Sequence, residues 1–134
     1  MISMQELLSG QCTFEECTPE QQKNLTILLD KVNKFRIAYG KPMFVTSGLR
    51  TMKHHLEIYA KKGIYPPKVP TKSNHLFGKA VDFADSNGEL KKFVNNNIKL
   101  MEEIGLWFED FLATKTWLHC QINPPASGKR FFKP

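Results

Sequence analysis

"SNHLFGKAVDF", residues 73–83, holds His75 and Asp82 seven positions apart, with Gly78 and Ala80 between them. It follows "IYPPKVP", where proline's missing donor and fixed φ dictate loop. "GKAVDFA" then reads as a strand. Side chains alternate along a strand, so Ala80 and Asp82 share one face while Val81 and Phe83 take the other. The same period recurs in "TWLHCQI", residues 116–122: Trp117, His119 and Gln121 share a face opposite Leu118, Cys120 and Ile122. Each strand thus offers an apolar face to a core and one potential metal ligand on its other face. His75, on the loop before the first strand, brings the set to two imidazoles and a carboxylate.

Outward from these strands the chain alternates. "TPEQQKNLTILLDKVNKFRIAYG" predicts a helix: Thr18 caps it, Pro19 suits its first position, Gln21 completes a capping box, and Gly40 and Pro42 stop it. Leu25, Leu28, Leu29, Val32, Phe35 and Tyr39 recur at helical spacing. "MFVTSG" predicts a short strand, and "TMKHHLEIYAKKG" a second helix closed by Gly63. "ELKKFVNNNIKLMEEIG" predicts one continuous third helix, "LWFED" a strand, and the tail "NPPASGKRFFKP" is read as irregular. This order predicts an α+β fold, a small, largely antiparallel sheet packed against helices.

With 134 residues, one domain over 1–134 is expected, long enough to bury a core without disulfides. Three cysteines are an odd number: Cys12 and Cys17 lack the second pair that a structural zinc needs, and Cys120 alternates to the core face. No apolar run reaches the ~18 residues of a membrane span, and the first residues lack a signal-peptide pattern, so a protein cytoplasmic as synthesised is expected. The net charge of +6 favours anionic partners, but the lysines are scattered and no specific nucleic-acid partner is expected. His54 and His55 are adjacent and diverge by about 100° on a helix, so they are assigned to the surface or a pocket rim.

Two histidines and an aspartate leave one tetrahedral zinc position open for water, whose pKa Zn2+ lowers to about 7. A nearby carboxylate can then take a proton. Glu109, ten residues before His119, is the leading base; Asp110 is its neighbour and points the other way if the strand continues.

"SNHLFGKAVD" resembles the S-x-H-x-x-G-x-A-x-D motif of the zinc D-Ala-D-Ala peptidases (peptidase family M15). That family includes D,D-carboxypeptidases, VanX-type dipeptidases and phage endolysin peptidases, and the hedgehog domain shares its fold. "WLH" (117–119) is similar to the second ligand motif and "VTSGLR" (45–50) to a third, so the resemblance runs from about residue 18 to the C-terminus. It implies that His75, Asp82 and His119 bind zinc, that Glu109 is the general base, and that Arg50, helped by Ser73, holds a substrate carboxylate or carbonyl. Trp117, on the ligand face, would wall the pocket. The resemblance further implies a monomeric hydrolase of peptidoglycan stem peptides or cross-links, phage-encoded and released through a holin, or virion-associated. Many relatives carry the catalytic glutamate three residues before the last histidine, where this chain has Thr116. That departure motivates the alternative, a zinc-containing binding or virion-assembly module without catalysis.

Overall fold

A computed structural model describes residues 1–134. Its longest helix, α2 (Pro19–Tyr39), begins and ends where the sequence predicts. Thr18 Oγ1 accepts from the Gln21 amide at 3.1 Å, Gln21 Oε1 accepts from the Thr18 amide at 2.9 Å, and Gly40 closes the helix at φ 76°. Leu25, Leu28, Val32 and Phe35 are fully buried on its inner stripe. The Phe35 ring is the centre of the core: it meets Phe83 and Phe108 edge-on at 6.4 and 6.3 Å and stacks on Phe93 at 6.0 Å. Each such buried side chain contributes about 1.5–3 kcal/mol.

The sheet that α2 covers has strands β1 (Val45–Ser47), β2 (Ala80–Ala84), β3 (Trp107–Glu109), β4 (Trp117–Gln121) and β5 (Phe131–Phe132). Their order is β1-β2-β4-β3-β5, antiparallel throughout except for the parallel β3–β5 pair. The fold is α+β, as expected. Val81, Phe83, Phe108, Leu118 and Cys120 point into the core, each with no exposed surface.

Three features differ from the sequence expectation. A short helix, α1 (Met4–Leu8), precedes the rest, capped by a reciprocal Ser3–Glu6 box. Helix α3 (Met52–Lys61) forms as predicted, but the third predicted helix is two, α4 (Glu89–Asn96) and α5 (Ile98–Ile104). They part at Asn97, which leaves helical geometry at φ −135° while its side-chain amide donates to the Phe93 carbonyl at 2.8 Å. The tail is not irregular throughout: Phe108 N–H donates to the Arg130 carbonyl at 2.9 Å and Asp110 N–H to the Phe132 carbonyl at 2.7 Å, so β5 covers the outer edge of β3. Gly78, at φ 72°, packs closely on α2; a Cβ there would lie 2.9 Å from Leu25 Cγ. No helix is long and apolar enough to cross a membrane.

Candidate metal centre

Antiparallel pairing places Asp82 of β2 directly opposite His119 of β4, on the sheet face turned away from α2. His75 reaches them from a 3-10 turn, Asn74–Phe77. Two α2 side chains pin that turn: Gln21 Nε2 donates to the Leu76 carbonyl and Asn24 Nδ2 to the Phe77 carbonyl, each at 2.9 Å. His119 Nδ1 lies 2.9 Å from Asp82 Oδ1, and His75 Nε2 lies 3.4 Å from Asp82 Oδ2. One potential ligand atom from each of the three residues falls within 4.8 Å of the others, which fits a single ion.

Outer partners settle which imidazole nitrogens face the cluster. His75 Nδ1–H donates to the Gly48 carbonyl at 2.9 Å, leaving Nε2 free to ligate. Gln121 Nε2 donates to the Asn123 carbonyl, which turns Gln121 Oε1 toward His119 Nε2–H at 2.9 Å and the Asn74 amide at 3.0 Å. His119 thus presents Nδ1. Gln121, buried and two positions beyond His119 on the same strand face, is a site residue that the sequence reading passed over, although strand alternation could have found it.

The carboxylates differ in electrostatics. Burial works to raise the Asp82 pKa, but hydrogen bonds and charge from the two imidazoles win and hold it well below the usual carboxylate range. Burial also opposes charge on His119, yet its bond to Asp82 raises its pKa. Glu109, at the end of β3, has Oε2 4.0 Å from His119 Nδ1; burial raises its pKa against the lowering effect of His119. Asp110 is turned away: its Oδ1 accepts from the Leu112 amide at 3.2 Å, tying it to the following turn. Thr116 is exposed.

A cavity of about 550 Å³ opens over the cluster, and Arg50, Ser73, Glu109 and Trp117 all line it. The Arg50 amide donates to the His75 carbonyl at 3.0 Å, which joins its wall to the ligand turn. Residues 50–79, which supply Arg50, Lys72 and five more of the lining residues, carry seven cations and one anion, against twelve of each in the remainder. The whole net charge of +6 therefore resides there, where the sequence alone reads as scattered lysines. His55 is not on the surface or rim; it has no exposed area. Cys12 and Cys17 are free thiols 3.6 Å apart and do not line the cavity.

The family model described as Peptidase M15 matches residues 2–121. The chain belongs to the Peptidase M15 family. The match includes the His75, Asp82 and His119 cluster and Glu109, and stops short of β5. A 72-residue stretch, 54% of the chain, is 33% identical to a 3,6-diketocamphane 1,6-monooxygenase of Pseudomonas putida. That stretch spans 18% of the relative's length, and the activity in the relative's name is not carried to this M15 peptidase. No solved structure matches the chain.

Proposed function

We propose that the chain is a zinc-dependent peptidase that hydrolyses peptide bonds of bacterial peptidoglycan, in stem peptides or cross-links. The observation that carries this reading is the cluster itself: two imidazoles and a carboxylate with ligand atoms within 4.8 Å, and a fourth, protonatable group 4.0 Å from one of them. Two nitrogens and a carboxylate oxygen suit zinc and leave a tetrahedral position open. When bound, zinc supplies Lewis acidity that polarises a carbonyl and acidifies water.

The chain's own side chains do the rest. Glu109 accepts a proton from the attacking water on a carboxylate oxygen and delivers it to the leaving nitrogen; its burial-raised pKa makes it a stronger base for the first transfer than a solvated glutamate. Gly48 and Gln121 hold the two imidazoles in their ligating tautomers. Arg50 binds a substrate carboxylate with its fork of donors, aided by Ser73, and the basic wall draws acidic peptides to the cavity. Trp117 lines the same cavity. One cluster of 19 buried residues drawn from α1, α2, α4, α5 and three strands supports a single peptidase domain over 1–134, and a site built wholly from one chain supports action as a monomer. A lysis-type role, reaching the wall from inside a phage-infected cell or with a virion, follows from the resemblance of the motifs to phage endolysins.

Mass spectrometry of murein fragments after digestion by the zinc-loaded protein tests the reading. Cleaved stem peptides or cross-links are expected, with the mass of each product naming the bond. Intact fragments across linear and cross-linked substrates would leave only a binding module.

A further inference from the structure

We propose that His55 is the positioning residue for Arg50, fixing its guanidinium at the cavity wall to receive an anionic group of the substrate; this rests on the cavity being the substrate site. His55 lies in the first turn of α3 and is completely buried. Both ring nitrogens are engaged: Nδ1 lies 3.3 Å from Arg50 Nη1, and Nε2 lies 2.6 Å from the Pro70 carbonyl. A guanidinium only donates and a carbonyl only accepts, so Nδ1 accepts and Nε2–H donates. A single neutral tautomer satisfies both. The imidazole therefore links Arg50 to the proline-rich loop, and Pro70 itself lines that cavity. Tyr59, one turn along α3, packs on the ring at 4.8 Å and lines the same wall.

Arg50 is consequently tied at both ends. Its amide donates to the carbonyl of His75, and its Nη1 donates to His55. Its Nε is buried without a protein partner, so donors of the fork remain for a ligand while one is committed to orientation. A histidine that merely filled the core would need neither the bond to a cavity-lining arginine nor the one tautomer that permits it.

His55→Leu removes the acceptor for Arg50, whereas His55→Asn keeps an oxygen near the Nδ1 position. With a peptide ending in a free carboxylate, His55→Leu should raise KM about tenfold with kcat within about twofold, and His55→Asn should recover most of the loss. With the same peptide ending in an amide, neither variant should shift KM. Equal losses on both peptides, or His55→Asn no better than His55→Leu, overturn the proposal. Added to Arg50→Ala, His55→Leu should cost nothing further; additive losses also overturn it. The 15N resonances of the ring should show a protonated Nε2 and an unprotonated Nδ1 at neutral pH, and any other state overturns the proposal whether or not a peptide is cleaved. If the wild-type protein cleaves no peptide, the peptidase reading fails by itself, and calorimetric binding of the free-carboxylate and amide peptides to the same variants decides the role of His55.

Discussion

Asp82 lies at the middle of β2 and Asp85 one residue past its end, and their surroundings assign them opposite tasks. Asp85 is 3% exposed; its two carboxylate oxygens accept from the Leu90 and Lys91 amides at 2.8 and 3.1 Å, at the start of α4, with Lys91 Nζ 3.9 Å away. Its partners are backbone donors at a helix N-terminus, joined by a lysine, and they exist whenever the helix does. Asp82 is bonded to two imidazoles, groups that can turn their lone pairs to a cation. A buried carboxylate satisfied by backbone builds the fold, and one satisfied only by metal-competent side chains builds a site.

The sharpest way to break this contrast concerns the third carboxylate beside it. Glu109→Gln should retain stoichiometric metal and lose about 10²–10⁴-fold in cleavage rate, read by metal analysis and peptide turnover together. Metal titration then separates the two aspartates. Asp82→Asn should weaken zinc binding by more than about 100-fold, because even outer-shell partners are worth about 10–100-fold, while Asp85→Asn should leave it unchanged. Denaturant unfolding of the metal-free protein should reverse the ranking: Asp85→Ala should cost roughly 2 kcal/mol by stranding two amides of α4. Equal losses for the two aspartates would erase the distinction. Gln121→Leu should lower zinc affinity about tenfold through loss of the His119 tautomer lock, with little effect on unfolding.

The smallest effect is in pH. Asp82 is depressed in the folded protein, so its contribution is present above the unfolded value of about 3.9 and is lost as pH falls through the folded one. His119 is raised, so its contribution is full below about 6.5 and is lost as pH rises through the folded value. In metal-free protein the pair should stabilise most between these limits. Melting curves should show a larger gap between wild type and Asp82→Asn near pH 5 than near pH 8; a constant gap would remove the His119–Asp82 pair from the stability of the metal-free fold.

Much of this was legible from residue order. Alternation in 80–84 and 117–121 separated core from polar faces, and the caps of α2 were readable from Thr18, Gln21 and Gly40. The direct pairing of Asp82 with His119 was not, because strand register is a long-range property. Helix α1 announced itself in Ser3 and Glu6, a signal passed over because the helix is only five residues long. Glu109 was the leading base from residue order; that Asp110 is tied into the following turn, and that the two-residue β5 pairs there, only the folded sheet supplies. His55 looked like its exposed neighbour His54 because a helical period tells which side chains share a face, not which face is covered.

Gly48 gives the site an unexpected dependence. On one side its carbonyl receives His75 Nδ1–H; on the other, its α-carbon lies so close to the Leu7 carbonyl of α1 that any side chain would collide with that backbone. Its amide donates to Ser9 Oγ at 2.8 Å, and the next amide, Leu49, to the Leu7 carbonyl at 2.7 Å. A five-residue helix that contributes no candidate ligand is therefore the abutment against which one candidate ligand, His75, is braced. Loosening α1, by a bulky group at Leu7 or by loss of its Ser3 cap, should register first as a slackened grip on metal, well before it registers as a melted fold.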